Sequence, residues 1–236
     1  MPKRLPAHDD AAEALFEAQD LVYDAFEAED GARRIELALE ALEISRDCAD
    51  AYLLLAEEVG PDDLRAACVI LEAGVAAGER ALGPEPFKHD VGVFWLLFET
   101  RPYMRARAAL AETLWQLERH DEAVEHMYEL LRLNPNDNQG NRDVLVEWLL
   151  HLGRYDDLDE LVAAYDGDDA AAMVYTKALA VFAREGASAD AKSAARRGTR
   201  AQRARASLPH RRETASRTAT GLVLHRRTKR GGALRR

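Results

Sequence analysis

Two blocks of this chain match each other at a shift of 35 residues. Leu114-Trp-Gln-Leu-Glu-Arg-His-Asp-Glu-Ala123 aligns with Leu149-Leu-His-Leu-Gly-Arg-Tyr-Asp-Asp-Leu158, with Arg119 opposite Arg154 and Asp121 opposite Asp156. Self-similarity at such a period means one supersecondary unit stacked on copies of itself, each burying the face its neighbour leaves open. Each block reads as the end of one helix, a short polar turn and the start of another. Apolar residues recur at three- and four-residue spacing from Ala14 to about Phe182, and no alternating run competes. The expected fold class is therefore all-α, a solenoid of helical hairpins. A weaker echo, Phe182-Ala-Arg-Glu-Gly186, closes a further helix from Ala170 to about Gly186 at the same phase.

These residues resemble the tetratricopeptide repeat, a unit of about 34 residues folded as two antiparallel helices. With Met104 as first position, Leu110 and Ala111 fall at the contact between the two helices, and Leu114 follows one turn later. Ala123 lands where the second helix needs a small side chain, and Pro135 at the terminal proline; Arg107 replaces the pattern's aromatic. An earlier unit ends at Ala41-Leu-Glu-Ile-Ser-Arg46, and Tyr52, Leu55 and Ala56 open the next. Gly60-Pro-Asp-Asp63 supplies a turn and a cap, with Pro61 at the start of a helix running to about Leu82. Three helix pairs and one more helix are expected.

Leu42-Glu-Ile-Ser-Arg-Asp-Cys-Ala-Asp-Ala-Tyr-Leu-Leu-Leu-Ala-Glu-Glu58, Glu99-Thr-Arg-Pro-Tyr-Met-Arg-Ala106 and Leu133-Asn-Pro-Asn-Asp-Asn-Gln-Gly140 carry a closer likeness. They resemble bacterial tetratricopeptide proteins related to the suppressor of tumorigenicity seven family, over roughly Ala11 to Gly186. The resemblance implies a helical-repeat protein with no established catalysis. Eukaryotic members carry membrane segments. Here no uninterrupted apolar run exceeds six residues, the aromatic cluster Phe94 to Phe98 lying within one of them, against about 20 for a spanning helix.

Charge divides the chain. Residues 187–236 hold 15 Lys and Arg against two acids, a net of +13, which leaves 17 basic and 40 acidic residues ahead of them, a net of −23. Aromatic, Asn, Ile and Met residues are missing from that last stretch. The expected domains are a disordered tail over 1–10, a repeat domain over 11–186 and a disordered Arg- and Ala-rich tail over 187–236. Besides that of an inert disordered segment, two readings of the second tail stand side by side. It is a frameshift product, since reading its codons one nucleotide later permits a peptide similar to the family's segment after this helix. Alternatively, Arg196, Arg197, Arg200, Arg203 and Arg205 form an arm that binds nucleic acid electrostatically.

Candidate chemistry is sparse. The seven histidines show no His-Glu-x-x-His spacing, and Cys48 and Cys68 have no paired Cys or His nearby, so no metal or cofactor is expected. No phosphate-cradling Gly-rich loop and no Gly-x-Ser-x-Gly elbow is present. The expectation is a protein that is not an enzyme. With two cysteines and no charged-then-apolar leader, a reducing cytoplasmic setting is expected.

Three places are candidates for partner binding. Phe87 to Tyr103 is longer and more aromatic than a repeat turn needs, and reads either as a plug in the solenoid or as an anchor offering Trp95, Arg101 and Tyr103. In Asn134-Pro-Asn-Asp-Asn-Gln-Gly-Asn-Arg142, Asp137 or Asn138 caps the next helix, and Gln139, Asn141 and Arg142 exceed what a cap requires. The repeat register places Arg105, Glu112 and Trp115 on the inner face, followed by Asp143 and Glu147. Acids predominate there, so a protein or peptide partner carrying Lys or Arg suits it, against the plainer reading of a solvated face.

Overall fold

The computed structural model describes residues 7–60, 62–165 and 181. Its helices are α1 (Ala7–Glu27), α2 (Gly31–Ile44), α3 (Ala49–Val59), α4 (Leu64–Leu82), α5 (Pro86–His89), α6 (Arg101–Gln116), α7 (His120–Leu133), α8 (Asn141–His151) and α9 (Tyr155–Ala164). A single 3-10 turn, Phe94–Leu96, lies between α5 and α6. Among the described residues there is no strand, and no helix is long and apolar enough to cross a membrane. Apart from Val181, the expected helix from Ala170 to Gly186 and the basic tail lie outside the described residues.

Four hairpins stack in order, α1 on α2, α3 on α4, α6 on α7 and α8 on α9. That is one pair more among the described residues than the sequence suggests. α1 begins at Ala7, within the segment read as a tail. α4 begins at Leu64, later than Pro61, because the Asp63 carboxylate accepts the free N–H groups of Arg65 and Ala66, both at 3.0 Å.

The repeat register is realised as packing. Leu110, Ala111, Leu114, Ala123, Met127 and Leu130 are all buried, and so are Val146, Leu149 and Leu158 in the following unit. α7 ends at Leu133 with Asn134 as its C-cap, and Pro135 follows where it cannot extend the helix. Two interior glycines bring α4 against its neighbours. A Cβ on Gly74 would lie 2.8 Å from the Tyr52 Cβ, and one on Gly78 only 2.9 Å from the Tyr103 Cβ. Only glycine allows backbones so near each other.

The two repeated turns share one backbone shape. Glu118 has φ +62° and its counterpart Gly153 has φ +68°. Just after them, the Arg119 N–H donates to the Leu114 carbonyl at 3.0 Å and the Arg154 N–H to the Leu149 carbonyl at 2.9 Å. The left-handed shape is free for glycine but costs an ordinary residue about 1 kcal/mol. Glu118→Gly should therefore stabilise the fold by up to about that amount, read as a higher urea midpoint. A lower midpoint would show that the Glu118 side chain contributes more than its backbone costs.

The matched arginines then tie pair to pair. Arg119 pairs with Glu122 (2.6 Å) at the start of α7 and with Glu72 (3.3 Å) on α4. Arg154 repeats this with Asp157 (2.5 Å) on α9 and Asp121 (3.4 Å) on α7. These bridges are largely exposed, so they set register more than they add stability.

Candidate functional site

The stretch between α4 and α6 is largely a plug. Phe94 is buried, its ring 5.2 Å from that of Phe87, and Phe87 in turn stands edge-on to Tyr103 at 5.2 Å. Thr100 Oγ1 holds the turn by donating to the carbonyls of Phe94 and Leu97. Tyr103, read from the sequence as a binding residue, is 1% exposed in this cluster, and its hydroxyl accepts from Arg107. Burial pushes the Tyr103 phenol up to about 12. Trp95 packs partly against the core, and its carbonyl accepts from Arg101 Nε at 2.9 Å. The Arg101 guanidinium lies 4.2 Å over the ring of Phe98, so this arginine holds an exposed aromatic in place.

Along the first helices of the pairs, the predicted inner-face residues divide into committed and free. Arg105 is committed: its Nε donates to Asp50 Oδ1 at 2.9 Å, and its Nη2 to Oδ2. Gln19 adds a third bond to the same carboxylate at 3.0 Å, so α1, α3 and α6 meet at one buried acid. Burial works against the Arg105 charge, but the hydrogen bond and charge of Asp50 outweigh it and hold the pKa above its ordinary value. Trp115 is stacked flat on Trp148 across the α6–α8 joint, with centroids 4.4 Å apart and planes 2° from parallel. His120 and His151 flank that stack.

Glu112 is different. It is half-buried on α6, it makes no hydrogen bond or ion pair among the described residues, and burial alone raises its pKa. Glu147, its counterpart at the 35-residue shift, is exposed on α8 and equally unpaired. Asp143 lies one turn ahead of Glu147 and does have a partner.

The polar run before α8 is chiefly a cap. Asp137 is buried at φ +48°, and its carboxylate accepts the N–H of Asn141 at 2.8 Å and of Arg142 at 3.0 Å. Gln139 reaches the Met104 carbonyl at 3.5 Å and receives Asn141 Nδ2 at 3.5 Å. The Arg142 guanidinium covers the Tyr165 ring at 5.0 Å. Gln139, Asn141 and Arg142 are thus gathered around the Asp137 cap. Among the described residues no group of three His, Cys, Asp or Glu is placed to hold a metal.

An apolar hollow adjoins the stretch before α6, and the sequence reading missed the α1 side of it. A cavity of about 410 Å³ opens between α1, the last turns of α4 and the start of α6. Phe16 (70% exposed), Tyr23 (50%) and Phe98 (73%) stand around it, with Asp20 and Glu99 on its rim. The signal for it was present: Phe16 and Tyr23 are seven residues apart, two turns along one face of α1.

The ST7 protein family model matches residues 9–211, running on past Gly186 into the stretch read as a tail. Among curated proteins, the chicken (Gallus gallus) suppressor of tumorigenicity 7 protein-like is 30% identical over 174 residues, 71% of this chain and 31% of that protein. The human (Homo sapiens) protein of the same name is 33% identical over 156 residues, 62% of this chain and 26% of that protein. The chain thus spans less than a third of the length of these relatives. Among solved structures, YrrB, described as a TPR protein with an unusual peptide-binding site, superposes with a TM-score of 0.56 at 18% identity, covering 84% of this chain and 89% of that one. The tetratricopeptide-like fold follows from that likeness together with the buried register.

Proposed function

The chain belongs to the ST7 protein family, and we propose that it is a non-catalytic protein-interaction module whose inner face holds a peptide or helix bearing Lys or Arg. One observation carries this reading: Glu112, a half-buried carboxylate on the first helix of a repeat, has no partner of its own among the described residues. A carboxylate drawn partly out of water without a counter-charge is a cost to the free protein, and a bound cation removes that cost. Glu147 repeats the charge one unit on, and Asp143 adds a third acid. Two free cysteines, both buried, accord with a reducing cytoplasmic setting. YrrB offers the precedent of a peptide-binding site on this fold.

The pH dependence follows from the sign of the Glu112 shift. Its folded-state pKa lies above the ordinary 4.5, so the ionised form burdens the fold above that pKa and the burden lifts as pH falls through it. A bound cation favours ionisation, so binding expels a proton in the window between the ordinary and the raised value. Affinity for a Lys- and Arg-containing peptide should therefore fall as pH drops through that window. Glu112→Gln should flatten the profile, and charge reversal at Glu112, Asp143 and Glu147 should slow association and weaken binding. Fluorescence anisotropy on peptides drawn from a basic panel reads both effects. Unchanged affinity on reversing all three charges would sink the proposal.

A further inference from the structure

We infer that the aromatic-rimmed cavity at α1 is a second docking site, separate from the inner face of α6 and α8, and that it takes a short segment of another protein with one bulky apolar side chain flanked by Lys or Arg. The apolar half of that specificity comes from Phe16, Tyr23 and Phe98. Three large side chains held in water around one hollow of about 410 Å³ form a pocket of the size that buries a ligand group. The Phe98 ring is already fixed by the Arg101 guanidinium, so little freedom is lost when a partner packs on it.

The basic half comes from charge. α1 carries Asp9, Asp10, Glu13, Glu17, Asp20, Asp24 and Glu27 and not one Lys or Arg. Asp47 on the cavity wall is answered by Arg80 at 2.8 Å, whereas Asp20 and Glu99 have no hydrogen bond or ion pair among the described residues. No described residue supplies the cation that would answer them, and a partner bearing Lys or Arg does. A second copy seated symmetrically would bring two such α1 helices together, like charge against like. Part of the wall, Phe98 and Glu99, belongs to the stretch between α4 and α6, which the repeat unit itself does not contain.

Selection of a random peptide display library on the full chain, followed by anisotropy on the selected peptides, tests this. The expected consensus is a Leu, Phe or Trp flanked by Lys or Arg. Affinity should fall about tenfold or more with Phe16→Ala or Phe98→Ala, and comparably when the peptide's apolar anchor becomes alanine. Both phenylalanines are exposed, and an unchanged circular dichroism melt verifies that the variants fold. Glu112→Lys should leave these peptides bound, which separates this site from the inner face. No consensus, an acidic consensus, or binding that survives both phenylalanine substitutions overturns the inference. So does a dimer of the unaltered chain that Phe98→Ala dissolves, since the groove then serves self-association.

Discussion

Replacing Asp50 with alanine lowers the stability of the fold by about 3–5 kcal/mol. The side chain is 0% exposed and accepts three hydrogen bonds, two from Arg105 and one from Gln19. Removing it leaves the largely buried Arg105 guanidinium with no counter-charge, and an uncompensated charge in low dielectric is what makes breaking such a pair expensive. The pair as a whole is worth far less than its rupture costs. Replacing both partners, as in Asp50→Leu with Arg105→Met, should recover most of the loss, because desolvation of two ions disappears along with their attraction. Urea unfolding of the single and double variants checks this. A single variant within about 1 kcal/mol of the parent chain would mean that water already reaches the pair.

Asp50 also shows where reading the sequence stops. The hairpin order was legible because the repeat writes the same physical requirements twice: Leu114 and Leu149 close the helix contact, and Arg119 and Arg154 follow the same left-handed residue. The cap at Asp137 was legible because a polar side chain between two apolar-periodic stretches has few other uses. Asp50 was not, since an acid on a helix is usually solvated and its partner Arg105 stands 55 residues away. Gly74 and Gly78 were hidden likewise, their need for closeness lying in Tyr52 and Tyr103 on other helices. Of the candidate site, Glu112 was reached through the register, whereas the cavity at α1 joins helices that share no repeat position. Hydrophobicity marked Phe94 and Phe98 alike as apolar, yet one is buried and the other is 73% exposed.

That same ambiguity makes Tyr103 decisive. As an anchor for a partner, it would change affinity at constant stability when truncated. In the structure it is wedged between Phe87, Phe94 and the bare backbone of Gly78, so truncation acts on the fold. Tyr103→Ala should cost about 3–5 kcal/mol, the range for deleting a large buried aromatic, because the Cβ contact with Gly78 persists and α4 cannot move in to fill the void. Tyr103→Phe keeps the ring and removes only the acceptor for Arg107, so a loss of about 1 kcal/mol is expected. The ratio of the two in urea unfolding isolates packing from hydrogen bonding. A Tyr103→Ala chain as stable as its parent would move Tyr103 from the core to the surface and make the stretch before α6 an anchor for a partner. A large loss leaves that stretch as the wall on which Phe98 is displayed.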